Sequence, residues 1–236
     1  MSESKFWNVK RIAFVFLFAI VGFIALHINI FKYEALTGNF FTWFEFIGPQ
    51  AGMFLGPVVG FIATFGARVI NFIFLGQALE AITIIPLFTL AFAALYFGTN
   101  FKEKLGKYTL IVPILAIIVF LAHPVGREVW YFSLFWLIPI VMSFSNRLFA
   151  KSLGATFTAH SVGGALWIWA VPFAQDPAFW QGLFLVVPVE RFIYAIGISV
   201  GFVLFSTVLD KVESIVQTGV IHIDKRYVLG KDFLKA

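Results

Sequence analysis

Residues 48–60 read GPQAGMFLGPVVG and lie within a long apolar stretch, Phe40 to Leu75. As a single helix this stretch would be about 54 Å long, nearly twice the thickness of the hydrocarbon layer of a bilayer. A Gly-Pro pair interrupts helices, because proline restricts the residue before it and readily starts a new helix. The sequence therefore predicts a reversal at Gly56-Pro57, between two antiparallel helices at 40–55 and 58–75.

The chain as a whole has the composition of an integral membrane protein. Hydrophobic residues make up 61% of its 236 residues and charged residues only 12%. A soluble surface needs roughly a quarter to a third of its residues charged. At about 20 residues for each spanning helix, the length accommodates about six to eight spans. We expect an all-α polytopic integral membrane protein, with one transmembrane helical bundle at 1–209 and a short cytoplasmic tail at 210–236.

The positions of Lys and Arg indicate how this bundle is oriented. The apolar segments that we interpret as spans are 12–31, 40–55, 58–75, 81–98, 108–122, 129–146, 155–172 and 181–209. This division leaves most Lys and Arg residues on one side, whereas the opposite loops carry only Lys32 and Arg127. Cytoplasmic loops are enriched in Lys and Arg, so we expect both termini in the cytoplasm. The second and fifth segments are short, which leaves a bundle of about six spans as the alternative.

Glycine recurs at every fourth position through the predicted reversal, at Gly48, Gly52, Gly56 and Gly60. This spacing aligns glycines on one face of a helix and lets another backbone approach closely, as in packed membrane helices. Irregular backbone at membrane depth also occurs beside cavities. The pattern therefore predicts helix packing, and it is compatible with a nearby cavity.

The stretch 54–60, FLGPVVG, resembles the Leu-Gly-Pro-x-x-Gly junction between the second and third helices of energy-coupling-factor (ECF) transporter S components. The resemblance mainly covers residues 40–80. S components are small membrane proteins that capture a vitamin or similar micronutrient and work with a transmembrane coupling protein and ATPase subunits. The resemblance therefore implies a substrate-binding subunit with those partners. It also implies a multi-pass protein of the cell membrane, namely the plasma membrane of a prokaryote.

This chain departs from the family pattern in three respects, and the first is that its apparent span count exceeds the family's usual six helices. Arg68 occupies the position where S components often carry aspartate. The first predicted helix offers only Ala19, Gly22 and Ala25 where many members have an Ala-x-x-x-Ala face for docking their partners. The other two differences concern the substrate and the partnership with ATPases.

Arg68 is the strongest candidate for a binding group, since it lies well inside the third predicted span. A charge in the hydrocarbon layer costs about 2.5 to 3.5 kcal/mol and persists when it is paired or lines a polar cavity. Asn71 lies one turn further on the same face. The guanidinium fits a carboxylate or phosphate ligand. The alternative is a structural ion pair, with Glu45 or Glu190 as the partner.

Four further candidates are polar. Glu190 and Arg191 follow Pro188 near the start of the last predicted span. They either cap the helix at the membrane interface or reach a pocket that faces Arg68. Glu45 and Gln50, on the second predicted span, would add polar lining to such a pocket. Because two Glu balance two Arg, an anionic ligand would require one carboxylate to be neutral or exposed.

Tryptophan supplies the remaining candidates. The set that clusters toward the proposed outer side, as an interfacial aromatic belt would, is Trp130, Trp136, Trp167, Trp169 and Trp180. Trp167 and Trp169 cannot face the same way on one helix, so at least one can point into the bundle. There it would stack on a planar ring of a ligand.

No sequence pattern indicates catalysis, a cofactor, a metal or nucleic acid. The four histidines are scattered and form no metal-binding pair on one helix face. Among them, His160 lies beside hydroxyl residues, where a hydrogen bond between helices is expected. The chain has no cysteine, no Walker loop, no dinucleotide fingerprint and no nucleophile elbow.

We therefore expect a membrane protein that captures a small anionic or ring-containing nutrient and is not an enzyme. The alternatives are an accessory or structural subunit of a larger membrane complex, and an ion-coupled carrier or membrane enzyme acting on a lipid.

Overall fold

The computed structural model describes residues 9–32, 40–101, 106–216 and 223–230. The predicted cytoplasmic amino terminus at 1–8, and the parts of the predicted tail at 217–222 and 231–236, lie outside the described residues. The helices in chain order are α1 (Val9–Leu26), α2 (Phe44–Ile47), α3 (Ala51–Phe54), α4 (Pro57–Phe74), α5 (Ala81–Asn100), α6 (Gly106–Thr109), α7 (Ile111–Ala122), α8 (Pro124–Glu128), α9 (Ile138–Met142), α10 (Leu148–Ala170), α11 (Pro177–Leu183) and α12 (Val186–Val216).

Short 3-10 segments and one small hairpin connect these helices. The 3-10 segments are Gly48–Gln50, Trp130–Leu137, Pro172–Gln175 and Lys225–Tyr227. Strands β1 (Asn29–Lys32) and β2 (Phe40–Thr42) pair in antiparallel fashion between α1 and α2. The protein is otherwise helical in its described parts, as the composition predicts.

Among the described residues, three helical stretches are long and apolar enough to cross a bilayer, namely Pro57–Phe74, Ala81–Asn100 and Val186–Val212. They identify a helical membrane protein. Shorter apolar helices lie at Phe16–Leu26, Ile111–Ala122 and Trp130–Met142. The count of about six to eight spans stays a prediction.

The predicted second span, 40–55, is not one helix. Its first residues belong to β2, and its helical part covers only 44–54, about 16 Å at the rise of an α-helix. Pro49 lacks the amide hydrogen that a continuous α-helix would use, and the chain adopts a 3-10 turn there. The segment is therefore too short to span a bilayer and forms one arm of a hairpin with α4.

The reversal predicted at Gly56-Pro57 is confirmed. Gly56 has a φ of 95°, a conformation that glycine adopts without steric strain. Pro57 begins α4, where its missing amide hydrogen leaves no helical bond unmade. The amide of Gly60 donates to the carbonyl of Gly56 over 2.7 Å, which closes the first turn of α4.

Glycine backbones bring three helices together beside this turn. A Cβ atom added to Gly52 would overlap the backbone of α5 at Ala94 and Gly98. One added to Gly60 would overlap the backbone of Gly52. The glycines therefore pack helices as predicted, but not along one face of one helix, because the chain reverses at Gly56.

The two arms of the helical hairpin, residues 44–54 and helix α4, remain in side-chain contact away from the Gly56-Pro57 turn. The hydroxyl of Thr64 on α4 donates to the carbonyl of Gly48 over 3.1 Å. One turn further from the reversal, Arg68 on α4 pairs with Glu45 on α2. Each pair lies at nearly equal distances along the chain from the Gly56-Pro57 turn, so the turn sets which side chains meet.

Helices α4, α5, α10 and α12 form the centre of the bundle. The ring of Phe65 on α4 lies 5.0 Å from that of Phe88 on α5, and the hydroxyl of Ser199 on α12 donates to that of Ser152 on α10 over 2.9 Å. In this arrangement α4 and α10 run in one direction and α5 and α12 in the other. At one end of the bundle, α4 and α10 therefore end while α5 and α12 begin.

Residues 223–230 pack at the opposite end, which we call the tail end. The ring of Tyr227 lies 6.0 Å from Phe101 and 5.5 Å from Phe202. Burial among these rings raises the pKa of Tyr227. Helix α12 itself continues past the predicted boundary at 209 to Val216, so this part of the tail is attached to the bundle.

We predict that Gly52→Ala destabilises the protein by about 1–3 kcal/mol or more, because its methyl group would overlap the backbone of α5. The matched control is Gly66→Ala on α4, where an added Cβ meets no atom within 4 Å and helix propensity improves by up to about 1 kcal/mol. Thermal unfolding in detergent measures both. Equal melting temperatures for the two variants would contradict the close contact.

Candidate functional site

A cavity of about 190 Å³ lies at the end of the bundle where α5 and α12 begin. Its walls come from α2, α4, α5, α10, α11 and α12. The ionisable side chains that line it are Glu45, Arg68, His160, Glu190 and Arg191. Its apolar wall includes Trp167, Phe179, Trp180, Leu183, Val186 and Val187. Five of the residues singled out in the sequence, Glu45, Arg68, Trp167, Glu190 and Arg191, thus meet around one hollow.

The first ion pair joins Arg68 to Glu45. Arg68 Nη2 pairs with Glu45 Oε1, and the side chains are only 15% and 11% exposed. The guanidinium carbon of Arg68 also lies 5.3 Å from the centre of the Phe44 ring, a favourable cation–π geometry. Of the two partners expected for Arg68, the structure selects Glu45. Among the described residues, Arg68 Nε has no hydrogen-bond partner.

The second ion pair joins Arg191 to its neighbour Glu190. The distance from Arg191 Nη2 to Glu190 Oε2 is 2.7 Å, and the side chains are 8% and 10% exposed. Arg191 Nη1 donates to Thr156 Oγ1 on α10 over 3.4 Å, and the guanidinium carbon lies 4.6 Å from the centre of the Tyr194 ring. Both side chains line the cavity, and neither points outward into the surroundings of the bundle.

Arg191 resembles Arg68 in its unused donor. Its Nε is also buried without a hydrogen-bond partner among the described residues. A guanidinium group carries five N–H donors. Each of the two arginines is therefore paired with a glutamate and still has an Nε–H group without a hydrogen-bond partner among the described residues.

His160 is a cavity residue that sequence reasoning did not assign to the site. Its Nδ1 accepts a hydrogen bond of 2.9 Å from Trp136 Nε1, so the expected bond to a neighbouring helical segment is present. Because an indole nitrogen only donates, Nδ1 carries no proton and the ring is the neutral tautomer protonated at Nε2. Nε2 has no hydrogen-bond partner among the described residues.

One signal in the sequence could have indicated the role of His160. His160, Gly163, Gly164 and Trp167 follow the spacing of one helical face, and all of them line the cavity. Because Trp167 was a candidate site residue, His160, two turns earlier on the same face of α10, could have been added to the candidates.

Gln50 lies outside the cavity. Its side chain is fully buried and its Nε2 donates to the carbonyl oxygens of Phe46, over 2.9 Å, and Ile198, over 3.4 Å. It fastens the 3-10 turn of the hairpin arm to α12, because the turn leaves its polar side chain pointing at another helix.

Asn71 and Trp169 also lie outside the cavity lining. Asn71 is one turn beyond Arg68 and its shorter side chain does not reach the hollow. Trp169 is 50% exposed, donates to the carbonyl of Val119 over 3.0 Å and packs its ring edge-on to His123 at 4.8 Å. Of the two tryptophans on α10, only Trp167 faces the cavity.

The structure differs from the predicted belt of tryptophans at the membrane interface. Trp136 and Trp180, both assigned to that belt, are almost completely buried. Trp180 Nε1 donates to the carbonyl of Ala174 over 2.8 Å, and its ring packs edge-on to Phe179 at 5.3 Å. The predicted spans left residues 173–180 as a connection between 155–172 and 181–209, whereas Pro177–Leu183 form α11 and contribute to the lining of the cavity.

The polar side of the cavity combines charges of both signs. Both ion pairs, Arg68 with Glu45 and Arg191 with Glu190, line this one cavity. Within the described residues, no three His, Asp or Glu side chains are grouped as ligands of a metal ion. The arrangement is suited to binding a polar ligand through hydrogen bonds and charge, with a ring or alkyl group against the aromatic wall.

Comparison with known proteins does not assign the chain to a family. No protein-family model, curated protein or solved structure matches the chain.

We predict that Arg68→Ala and Glu45→Ala each destabilise the protein by about 3–5 kcal/mol, because each leaves a buried charge without its partner. The double variant is expected to be more stable than either single variant. Thermal and chemical unfolding of the purified proteins in detergent measure the three changes. Additive losses in the double variant would show that the two side chains are not coupled.

Proposed function

We propose that the protein is a membrane-embedded substrate-capture subunit of a small-molecule uptake transporter. The observation that carries the proposal is the cavity at one end of the bundle, which is lined by two ion pairs and by aromatic side chains. Buried charges in membrane proteins usually face a binding cavity or a pathway. The substrate class is a vitamin or similar micronutrient.

The dimensions of the cavity support a small substrate. Its volume is about 190 Å³, whereas sites for drug-sized molecules span about 300–1,000 Å³. A cavity of about 150 Å³ is sufficient for benzene. A single ring with a short polar group therefore suits this space.

The charges at the tail end support an outward-facing cavity. Arg147, Lys211, Lys225 and Arg226 lie at that end, and the cytoplasmic side of membrane proteins is enriched in Lys and Arg. We infer that the tail end faces the cytoplasm and that the cavity takes up its substrate from the outer side of a multi-pass protein in the cell membrane.

The energy for uptake would come from other proteins or from an ion gradient, because the sequence has no nucleotide-binding pattern. The resemblance of residues 54–60 to ECF S components supports a transmembrane coupling protein and ATPase subunits as the partners. The hairpin around Gly56-Pro57, which carries that resemblance, also delivers Glu45 and Arg68 to the cavity.

Ligand-dependent stabilisation tests the capture function. A panel of vitamins and other small nutrients is screened by thermal unfolding, and a captured substrate raises the melting temperature by mass action. We predict that Gly163→Leu abolishes the shift, because Gly163 lines the cavity and a larger side chain fills it. Gly66→Leu is the matched control, since Gly66 has open space beside it and lies outside the lining.

The capture function is contradicted if no compound stabilises the wild-type protein, or if Gly163→Leu and Gly66→Leu respond alike. A wild-type protein that ignores the panel and copurifies with other membrane subunits would indicate an accessory role instead. Leu183→Trp narrows the cavity from α11 and replaces Gly163→Leu if that variant does not accumulate.

The absence of cysteine in the sequence permits a direct test of orientation. Glu128 is exposed in α8, which packs against α11 at the cavity end, and Leu229 is 47% exposed at the tail end. We predict that a membrane-impermeant maleimide labels Glu128→Cys in intact cells and labels Leu229→Cys only after lysis. The reverse pattern would place the cavity on the cytoplasmic side.

A further inference from the structure

The charges around the cavity sum to zero. Arg68 and Arg191 are balanced by Glu45 and Glu190, and each carboxylate lies in contact with one guanidinium. His160 adds no charge, because its Nδ1 accepts the hydrogen bond from a tryptophan. The site is thus neutral while it contains four ionised side chains.

This balance disfavours a ligand with net charge. The four side chains are only 8–15% exposed, so solvent screens them weakly. A bound anion or cation would leave one charge uncompensated in a region of low dielectric constant, which is costly. A ligand that carries one negative and one positive group leaves the total at zero.

The unused hydrogen-bonding groups match such a ligand. Nε of Arg68 and Nε of Arg191 are donors without partners among the described residues, and a carboxylate accepts from guanidinium groups. Glu45 binds Arg68 through Oε1, and its other oxygen has no hydrogen bond to any described residue. That oxygen is an acceptor for an ammonium group.

The rest of the cavity determines the size and character of the ligand. Trp167, Phe179 and Leu183 form part of the apolar lining of the same cavity. The volume of about 190 Å³ accommodates one ring or a branched alkyl group together with the polar part.

We propose that the cavity binds a small zwitterion, with one carboxylate, one ammonium and a single ring or alkyl group. This proposal rests on the capture function and specifies its substrate class. The ligand carboxylate lies against the two arginines, its ammonium against Glu45, and its apolar group against the aromatic wall.

Two sets of matched compounds test the proposal on the full chain in lipid nanodiscs. The first is L-phenylalanine, 3-phenylpropionate and 2-phenylethylamine, and the second is L-leucine, 4-methylpentanoate and 3-methylbutylamine. Within each set the apolar group is constant and only the charged groups change. Calorimetry at neutral pH measures the dissociation constants. In each set, the zwitterion is expected to bind more tightly than its two singly charged analogues, by a factor of roughly ten or more.

Charge-changing variants provide the second measurement. Glu45→Gln gives the site a net positive charge and is expected to shift preference roughly tenfold toward the carboxylate analogue, whereas Arg68→Gln shifts it toward the amine. Glu190→Gln repeats the first test at the other ion pair if Glu45→Gln fails to fold. A merely structural ion pair would weaken all three compounds of a set equally.

The outcomes separate this proposal from the capture function. If a singly charged analogue binds wild-type protein as tightly as its zwitterion, the charge-balance proposal is wrong and capture stands. If neither zwitterion binds while a nutrient that is not a zwitterion gives a shift that Gly163→Leu removes, the zwitterion class is likewise wrong and capture stands. If no compound in either experiment binds, both proposals fail.

Discussion

A guanidinium group inside a membrane bundle must have a partner, and this requirement organises the hairpin at residues 44–74. Arg68 obtains its partner from Glu45, which lies on the opposite arm. The pair forms because the chain reverses at Gly56. The arms can approach because Gly52 and Gly60 present bare backbone to each other. A side chain at either glycine would separate the arms, so close packing at the turn maintains the ion pair several turns away.

The same requirement makes the cavity informative about function. Replacing a buried ion pair with well-packed apolar residues is often neutral or stabilising. Two ion pairs that line a cavity of about 190 Å³ are therefore an inefficient way to stabilise a bundle, since desolvated charges cost free energy. The proposed binding of a ligand to these charged groups accounts for their position at the cavity.

The sequence predicted the features that depend on local chemistry. Gly56-Pro57 specified a reversal because few residues adopt that backbone conformation, and the reversal in turn made Glu45 a reachable partner for Arg68. Glu190 and Arg191 were recognisable as charges next to an apolar segment, although their pocket could not be distinguished from an interfacial cap.

Features that depend on packing between distant helices were not predictable. The continuous helix expected at 40–55 is replaced by short turns, because Pro49 and the approach of α5 override the apolar pattern. Gln50 and Trp169 were placed in the site by residue type alone, yet one binds a backbone carbonyl of α12 and the other faces outward. The orientation of a single side chain depends on the angle between helices, which no local pattern encodes. For His160, the information in the sequence was the helical spacing that places it on the same face of α10 as Trp167.

The two ion pairs that line the cavity also determine which contacts can contribute to the affinity of the proposed ligand. Glu45 and Glu190 already neutralise the charges of the arginines, so a ligand carboxylate gains only the difference between its own contacts and those that it weakens. Charge complementarity in such a site mainly selects among ligands, since a wrongly charged molecule leaves an unpaired group. For the proposed ligand, the larger favourable contribution is expected from burying its apolar group against Trp167 and Phe179. In that proposal the charges set specificity, and the aromatic side chains supply most of the binding free energy.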